Sequence, residues 1–253
     1  MIHSFLLIGQ SNAAGRGFLD EAEQLDTCAG KLKVLRNGRW QTMYRPVNPD
    51  RSFSGTCLAE SFAKAYAQAH ADVEVGIIPC ADGGTSLEQW KVGSLLFDNA
   101  VNCAKLAMRT SHLVGVLWHQ GEGDCSPERY PYYQERFTTI MNELRKCLEI
   151  SNLPILIGGL GDFLSKCTLS ENIKNYYHIN SALKKISKEY PNCAYVSAEG
   201  LGANPDNLHF NAIALKEFGI RYFNEYQKLD ICDMSSCHVP KENDSARTQM
   251  ELL

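Results

Sequence analysis

The residue best suited to nucleophilic chemistry is Ser11, set in Gly9-Gln10-Ser11-Asn12-Ala13-Ala14-Gly15 directly after the apolar run His3 to Ile8. A serine at a strand-to-helix turn presents its hydroxyl at the rim of a sheet, with its own N–H aimed into the same space. Such a hydroxyl attacks a carbonyl carbon when a base takes its proton and a third group orients that base. Asp206 and His209 stand three apart in Asp206-Asn207-Leu208-His209-Phe210. That spacing lets a carboxylate hold one imidazole nitrogen while the other faces the serine. The oxyanion of an acyl transfer also needs hydrogen-bond donors. Cys80-Ala81-Asp82-Gly83-Gly84-Thr85-Ser86 offers the N–H of Gly84, or that of Gly83, with no side chain in the way. Trp118-His119-Gln120-Gly121-Glu122-Gly123-Asp124 offers the side-chain amide of Gln120. Asn12 and Glu122 are candidate supports for these groups, and His119 is either a further support or buried structure.

Competing chemistries fit the spacing less well. Five residues lie between Gly9 and Gly15, and Arg16-Gly17 follows; a Walker loop has four and then Gly-Lys-Ser/Thr. No Gly-x-Gly-x-x-Gly follows the first strand. The Gly-x-Ser-x-Gly of α/β-hydrolases is broken at Ala13, and its serine does not follow the first strand. His119, Glu122 and Asp124 are too close along one loop to match a zinc pattern, so neither a metal nor any other cofactor is expected.

These clusters need elements to position them. Short apolar runs at His3 to Ile8, Val73 to Pro79, His112 to His119, Leu153 to Gly158 and Ala194 to Ser197 read as buried parallel strands. Helical periods at Leu58 to His70, Phe97 to Met108, Tyr130 to Ile150, Asn172 to Tyr190 and Asn211 to Gln227 alternate with them. The βαβ rhythm predicts a three-layer α/β fold with a mostly parallel sheet. All four clusters sit next to strand ends, where open parallel sheets gather their ligands. Residues 17–55 break the rhythm as an insertion, with a hairpin over Lys33 to Gln41 turning at Asn37-Gly38. Residues 229–253 turn polar and read as an appendage to a domain of residues 1–228.

Composition narrows the partners. The chain has 253 residues, 44% of them hydrophobic, with a net charge of -4, long enough for a self-sufficient core. The acidic balance argues against a nucleic-acid binder. No run approaches the roughly 18 apolar residues of a membrane span. The ten cysteines are scattered, without a Cys-x-x-Cys pair, and read as buried reduced thiols. The first residues lack a signal peptide; the chain as it stands is expected in the cytoplasm, or secreted or periplasmic if a leader has been removed. Oligomeric state is not written in the sequence.

The order Gly-Gln-Ser-Asn, Gly-Gly-Thr with a nearby Trp90, His-Gln-Gly-Glu and Asp-x-x-His-Phe resembles the SGNH hydrolase superfamily. Within it, the pattern looks like the sialate O-acetylesterase-like and carbohydrate esterase family 6 branch, and the resemblance runs from Ile2 to about Phe223. It implies a flavodoxin-like α/β/α fold with a mostly parallel five-stranded sheet in the order 2-1-3-4-5. It also implies that Ser11 is the nucleophile, His209 the base and Asp206 its orienting group. Ser11, Gly84 and Gln120 would form the oxyanion hole.

The expected activity is that of a serine esterase removing O-acetyl groups from carbohydrate through an acetyl-enzyme. Acetylated xylan or xylo-oligosaccharide is the first substrate by resemblance and O-acetylated sialic acid the second. Arginines over the pocket would favour a sialate carboxylate, and Arg16, Arg45 and Arg51 are the candidates. Trp90, Trp40 and Trp118 are candidates for stacking on a sugar or walling the acyl pocket. A non-catalytic carbohydrate-binding relative would keep the pocket and lose the triad. An acetyltransferase would use the same residues and differ in excluding water.

Overall fold

The computed structural model describes residues 1–229. Apart from Leu229, the expected polar appendage lies outside the described residues. Among the described residues there are seven strands: β1 (Ile2–Gly9), β2 (Leu32–Arg36), β3 (Arg39–Thr42), β4 (Glu74–Pro79), β5 (His112–His119), β6 (Ile155–Gly158) and β7 (Cys193–Val196). Six helices accompany them among the described residues: α1 (Ser11–Ala14), α2 (Leu58–Ala69), α3 (Leu95–Ala107), α4 (Tyr133–Leu148), α5 (Tyr176–Glu189) and α6 (Ala212–Tyr226). Short 3₁₀ turns at Tyr130–Tyr132 and Glu171–Asn175 lead into α4 and α5.

The strands form one mixed sheet in the order β3-β2-β4-β1-β5-β6-β7. The five parallel strands read from the apolar runs keep the order second, first, third, fourth, fifth. The five-stranded sheet expected from the sequence is corrected to seven, because the hairpin of the 17–55 insertion joins it. Leu32 and Val34, both fully buried, pair in parallel with Val75 and Ile77. They cover an edge of β4 that would otherwise leave backbone groups unpaired. The Asn37-Gly38 turn has φ of 50° and 76°, the double left-handed geometry a two-residue hairpin demands. Trp40, on β3, lies over Gly76, where an added Cβ would stand 2.5 Å from the indole. This places Trp40 on the sheet edge and not at a pocket.

Helices cover both faces, which is why β1 and β5 read as near-continuous apolar runs. On one face Phe5 meets Phe62 and Tyr66 of α2 and Tyr226 of α6 edge-to-face, with ring centroids 4.7, 5.0 and 5.3 Å apart. On the other, Leu6 and Ile8 pack with α3, α4 and α5 through Ala104, Phe137 and Ile179. Burial of these side chains at roughly 25 cal/mol per Å² is the main force holding the layers together. Asn211 caps α6, its Oδ1 accepting from Ala214 N at 2.8 Å, and so fixes where the loop carrying His209 ends. The eight cysteines among the described residues are free thiols, five of them buried.

Candidate active site

Ser11 owes its position to a close crossing of β1 and β5. Gly9 has φ +130°, and a Cβ there would stand 2.0 Å from the carbonyl oxygen of His119. The chain then turns: Gln10 N donates to His119 O at 2.9 Å, and Gln10 O accepts from Ala13 N and Ala14 N. These bonds make α1 a single turn with Ser11 at its start. As a first-turn amide, Ser11 N–H has no helical acceptor, and it makes no hydrogen bond among the described residues.

The structure brings Ser11, His209 and Asp206 into one line. His209 Nε2 lies 3.0 Å from Ser11 Oγ, and His209 Nδ1 lies 2.7 Å from Asp206 Oδ2. Asp206 Oδ1 accepts from the N–H groups of Leu208 and His209 at 2.9 and 3.0 Å. The loop is thus folded around its own carboxylate. Burial raises the Asp206 pKa, but the N–H groups of His209 and Leu208 and the imidazole outweigh it and hold the carboxyl below its ordinary value. Since Asp206 Oδ2 faces Nδ1, that nitrogen carries the proton and Nε2 is left as the acceptor toward the serine.

Asn12 joins the serine turn to the histidine loop. Its Nδ2 donates to Leu208 O at 3.2 Å, and its Oδ1 accepts from Phe210 N at 3.0 Å. These are the two residues that flank His209. The same Nδ2 donates to Glu122 Oε1 at 2.6 Å. Glu122, itself buried, leaves its other oxygen Oε2 without a partner among the described residues.

The two glycines of the next turn are distinguishable. Gly83 N–H donates to Asp50 Oδ2 at 2.8 Å. Gly84 has φ +79°, and its N–H makes no hydrogen bond among the described residues. Gly84, not Gly83, therefore has the free donor. Asp50 also takes a bidentate pair from Arg16 at 3.0 and 2.7 Å and a bond from Ser54 Oγ at 2.8 Å. Burial pushes the Asp50 carboxyl up, but the Arg16 and Ser54 hydrogen bonds, the Arg16 charge and the Gly83 N–H bring it below its ordinary value.

These turns line an open cavity of about 370 Å³ with Ser11, Gly84 and His209 in its wall. Phe53 and Arg51, at 69% and 41% exposure, form part of its rim. Arg51 was one of the arginines the sequence offered for a substrate carboxylate; Phe53 did not stand out in a sequence search confined to strand ends, because it comes from the insertion. Arg16 lines the cavity, yet its guanidinium is committed to Asp50 and Gly15 O. These bonds brace the Gly83 turn through Asp50 and keep Arg16, the arginine expected at the substrate, fixed in the cavity wall. Arg45 lies elsewhere, paired with Glu60.

Gln120 is a second correction. It is fully buried, and its Nε2 donates to Asp124 Oδ2 at 2.7 Å, Thr85 O at 3.2 Å and Gln10 Oε1 at 3.3 Å. An amide with two N–H bonds already committed to protein acceptors has none for an oxyanion. Trp90 and Trp118 are core residues, packed edge-to-face at 5.7 Å. Trp90 Nε1 donates to Thr85 Oγ1 at 3.0 Å, so this buried indole steadies the glycine turn and does not line the cavity at Ser11. His119 is sealed under the Gly9 turn. Its ring meets Phe210 and Phe218 edge-to-face, and its Nε2 donates to Gly159 O at 3.2 Å. Burial lowers its pKa and keeps it neutral. Among the described residues, no group of three or more His, Cys, Asp or Glu side chains is placed to share a metal ion.

Comparison with known proteins gives the family and the fold. The family described as carbohydrate esterase, sialic acid-specific acetylesterase matches residues 1–228. A probable carbohydrate esterase of Arabidopsis thaliana is 27% identical, over 88% of this chain and 89% of the relative. A solved structure of an Arabidopsis thaliana protein superposes with a TM-score of 0.79 at 24% identity, covering 91% of this chain and 99% of that one. The crystal structure of NanS gives a TM-score of 0.70 at 16% identity, over 90% and 97% of the two chains. A carbohydrate acetylesterase from Xanthomonas citri gives 0.65 at 18% identity, over 92% of this chain and 57% of that one. The structural likenesses show a shared fold, and the match over residues 1–228 shows the family: the chain belongs to the carbohydrate esterases of the sialic acid-specific acetylesterase type.

Proposed function

We propose that the chain is a serine esterase that removes O-acetyl groups from carbohydrate, with Ser11, His209 and Asp206 as its catalytic residues. The observation that carries this reading is the line from Asp206 Oδ2 through His209 to Ser11 Oγ, with steps of 2.7 and 3.0 Å, opening into a cavity beside a free Gly84 N–H. Ser11 Oγ attacks the acetyl carbonyl carbon while His209 Nε2 takes its proton. The carbonyl oxygen becomes an oxyanion held by the N–H groups of Ser11 and Gly84. Collapse of the tetrahedral adduct breaks the bond to the sugar oxygen, which leaves with the proton from His209. A water molecule, deprotonated by the same imidazole, then cleaves the acetyl-serine and releases acetate.

The family match favours an O-acetylated sialic acid over the acetylxylan that the motifs placed first. Arg51 gives this a physical basis. Its guanidinium stands at the rim, held by the backbone oxygens of Asp50 and Gly83 at 2.7 and 3.0 Å and paired with the Asp82 carboxylate at 2.8 Å in a largely exposed pair. Exposed pairs of this kind are worth about 0–1 kcal/mol, so a substrate carboxylate can replace Asp82 at little cost. The test is acetate release from an O-acetylated sialic acid and from acetylated xylo-oligosaccharide, with wild type and Ser11→Ala. Serine-dependent release with a preference for the sialate supports the reading. Equal rates in the two proteins remove Ser11 as nucleophile, and a preference for the xylo-oligosaccharide removes the sialate assignment.

A further inference from the structure

With Gln120 turned away, the candidate oxyanion hole holds two backbone donors. The side chain of Gln10, next to the serine, supplies what is missing. Its Oε1 accepts from Gly121 N at 3.3 Å, Gly123 N at 3.1 Å and Gln120 Nε2 at 3.3 Å. Backbone N–H groups donate and never accept, so these bonds fix which end of the amide is oxygen. The NH₂ must face the other way. Gln10 is 4% exposed, and its Nε2 makes no hydrogen bond among the described residues, yet it is not one of the sealed, unpartnered polar atoms. Gln10 belongs to the wall of the cavity that also holds Ser11, Gly84 and His209. An amide clamped at its oxygen, free at its nitrogen and open to the acyl cavity has the properties of a preorganised donor.

We infer that Gln10 Nε2 is a third oxyanion donor, and that Gln120 acts through it as a positioning residue. Gln120 sits at the centre of the clamp. It is held by Asp124, whose Oδ2 also accepts from Leu87 N at 2.8 Å, and it passes that fixed position to Gln10. The donor therefore comes from the serine's own turn and not from the β5 loop. This inference rests on the esterase reading and deepens it.

The test uses Gln10→Glu and Gln10→Met, with Ser11→Ala alongside. Glutamate keeps an oxygen for the three clamp donors and replaces the NH₂ by an acceptor. Methionine is neutral, of similar length, and donates nothing. With p-nitrophenyl acetate, both Gln10 variants are expected to lose about 10²- to 10³-fold in kcat, with KM within about threefold of wild type. Gln10→Glu is expected to keep the wild-type thermal transition to within a few degrees. Wild-type kcat in Gln10→Glu, or a loss in Gln10→Glu with activity retained in a folded Gln10→Met, overturns the inference. The second pattern would mark a charge effect. If wild type turns over no faster than Ser11→Ala, the esterase reading itself fails, which is a different result from an active wild type with an equally active Gln10→Glu.

Discussion

Replacing Asn12 by alanine separates the serine turn from the histidine loop without touching either side chain of the proposed reaction. The wild-type asparagine donates to Leu208 O and Glu122 Oε1 and accepts from Phe210 N. Each hydrogen bond contributes about 1 kcal/mol net, and leaving a buried partner unsatisfied costs about 1–3 kcal/mol. Three bonds with partly rehydrated remnants give a loss of about 4 kcal/mol. For a chain of this size that lowers the melting temperature by about 10 °C. The effect on rate has a different origin. His209 Nε2 is 3.0 Å from Ser11 Oγ, and the residues on either side of it lose their tether. A displacement of about 1 Å at a reacting group costs on the order of 10²-fold in rate. We therefore expect kcat for p-nitrophenyl acetate to fall about 10²-fold, measured well below the new melting temperature. Glu122→Gln provides the second arm of a cycle. Its remaining carbonyl still accepts from Asn12, so the single change is mild, and in an Asn12→Ala background it should cost less than alone. An Asn12→Ala protein with wild-type kcat and an unchanged melting curve would refute the tether, as would strict additivity with Glu122→Gln.

Three further outcomes follow from the same structure. Gly83→Ala should destabilise more than Gly84→Ala: a Cβ at Gly83 would stand 2.4 Å from Arg16 Nη2, whereas at Gly84 nothing lies within 4 Å. Only the left-handed backbone opposes alanine at Gly84, at about 1–2 kcal/mol, and thermal melts of both proteins rank them. Asp50→Ala leaves the Arg16 guanidinium buried without its partner and should cost about 3–5 kcal/mol in chemical denaturation, with kcat lowered through the freed Gly83 turn. Stability should also fall with acidity in two stages, read as melting temperature against pH. His3, buried against Tyr66 OH at 2.7 Å, has its pKa lowered by burial to about 4. The unfolded chain takes up that proton first, so stability falls from about pH 6.5 down to about 4, by at most about 3 kcal/mol. Asp50 is held below its ordinary value, so its contribution is present above about pH 4 and fades as pH drops through the folded value. His3→Gln should remove the first stage alone.

The sequence carried the parts of the fold that periodicity encodes. The five parallel strands are continuous apolar runs because helices cover both faces, and that pattern survives in one dimension. The hairpin was legible from Asn37-Gly38, but its docking on β4 was not, since pairing between Leu32 and Val75 leaves no local mark. The same limit divides the candidate site. Ser11, Asp206 and His209 stand out by residue type and spacing. Gln10 and Gln120 are both glutamines beside glycines at strand ends, and only the three-dimensional hydrogen bonds tell the clamped donor from its clamp. Asp50 and Phe53 come from the insertion, where no chemical pattern marks them, and Arg51 stood out there by its charge alone. Trp90 was conspicuous for the wrong reason: its indole is large and near a glycine turn, yet it lies behind that turn.

The separation of the two halves of the site along the chain has a consequence for biosynthesis. Ser11 and His209 meet across 198 residues. At about 5–20 residues per second, the ribosome releases the serine some 10–40 seconds before its base. On the proposed mechanism the hydroxyl is an ordinary alcohol throughout that interval, with no base to activate it. On the proposed mechanism, reactivity needs the His209 loop seated against the Ser11 turn, so the appearance of hydrolysis during refolding times that long-range closure.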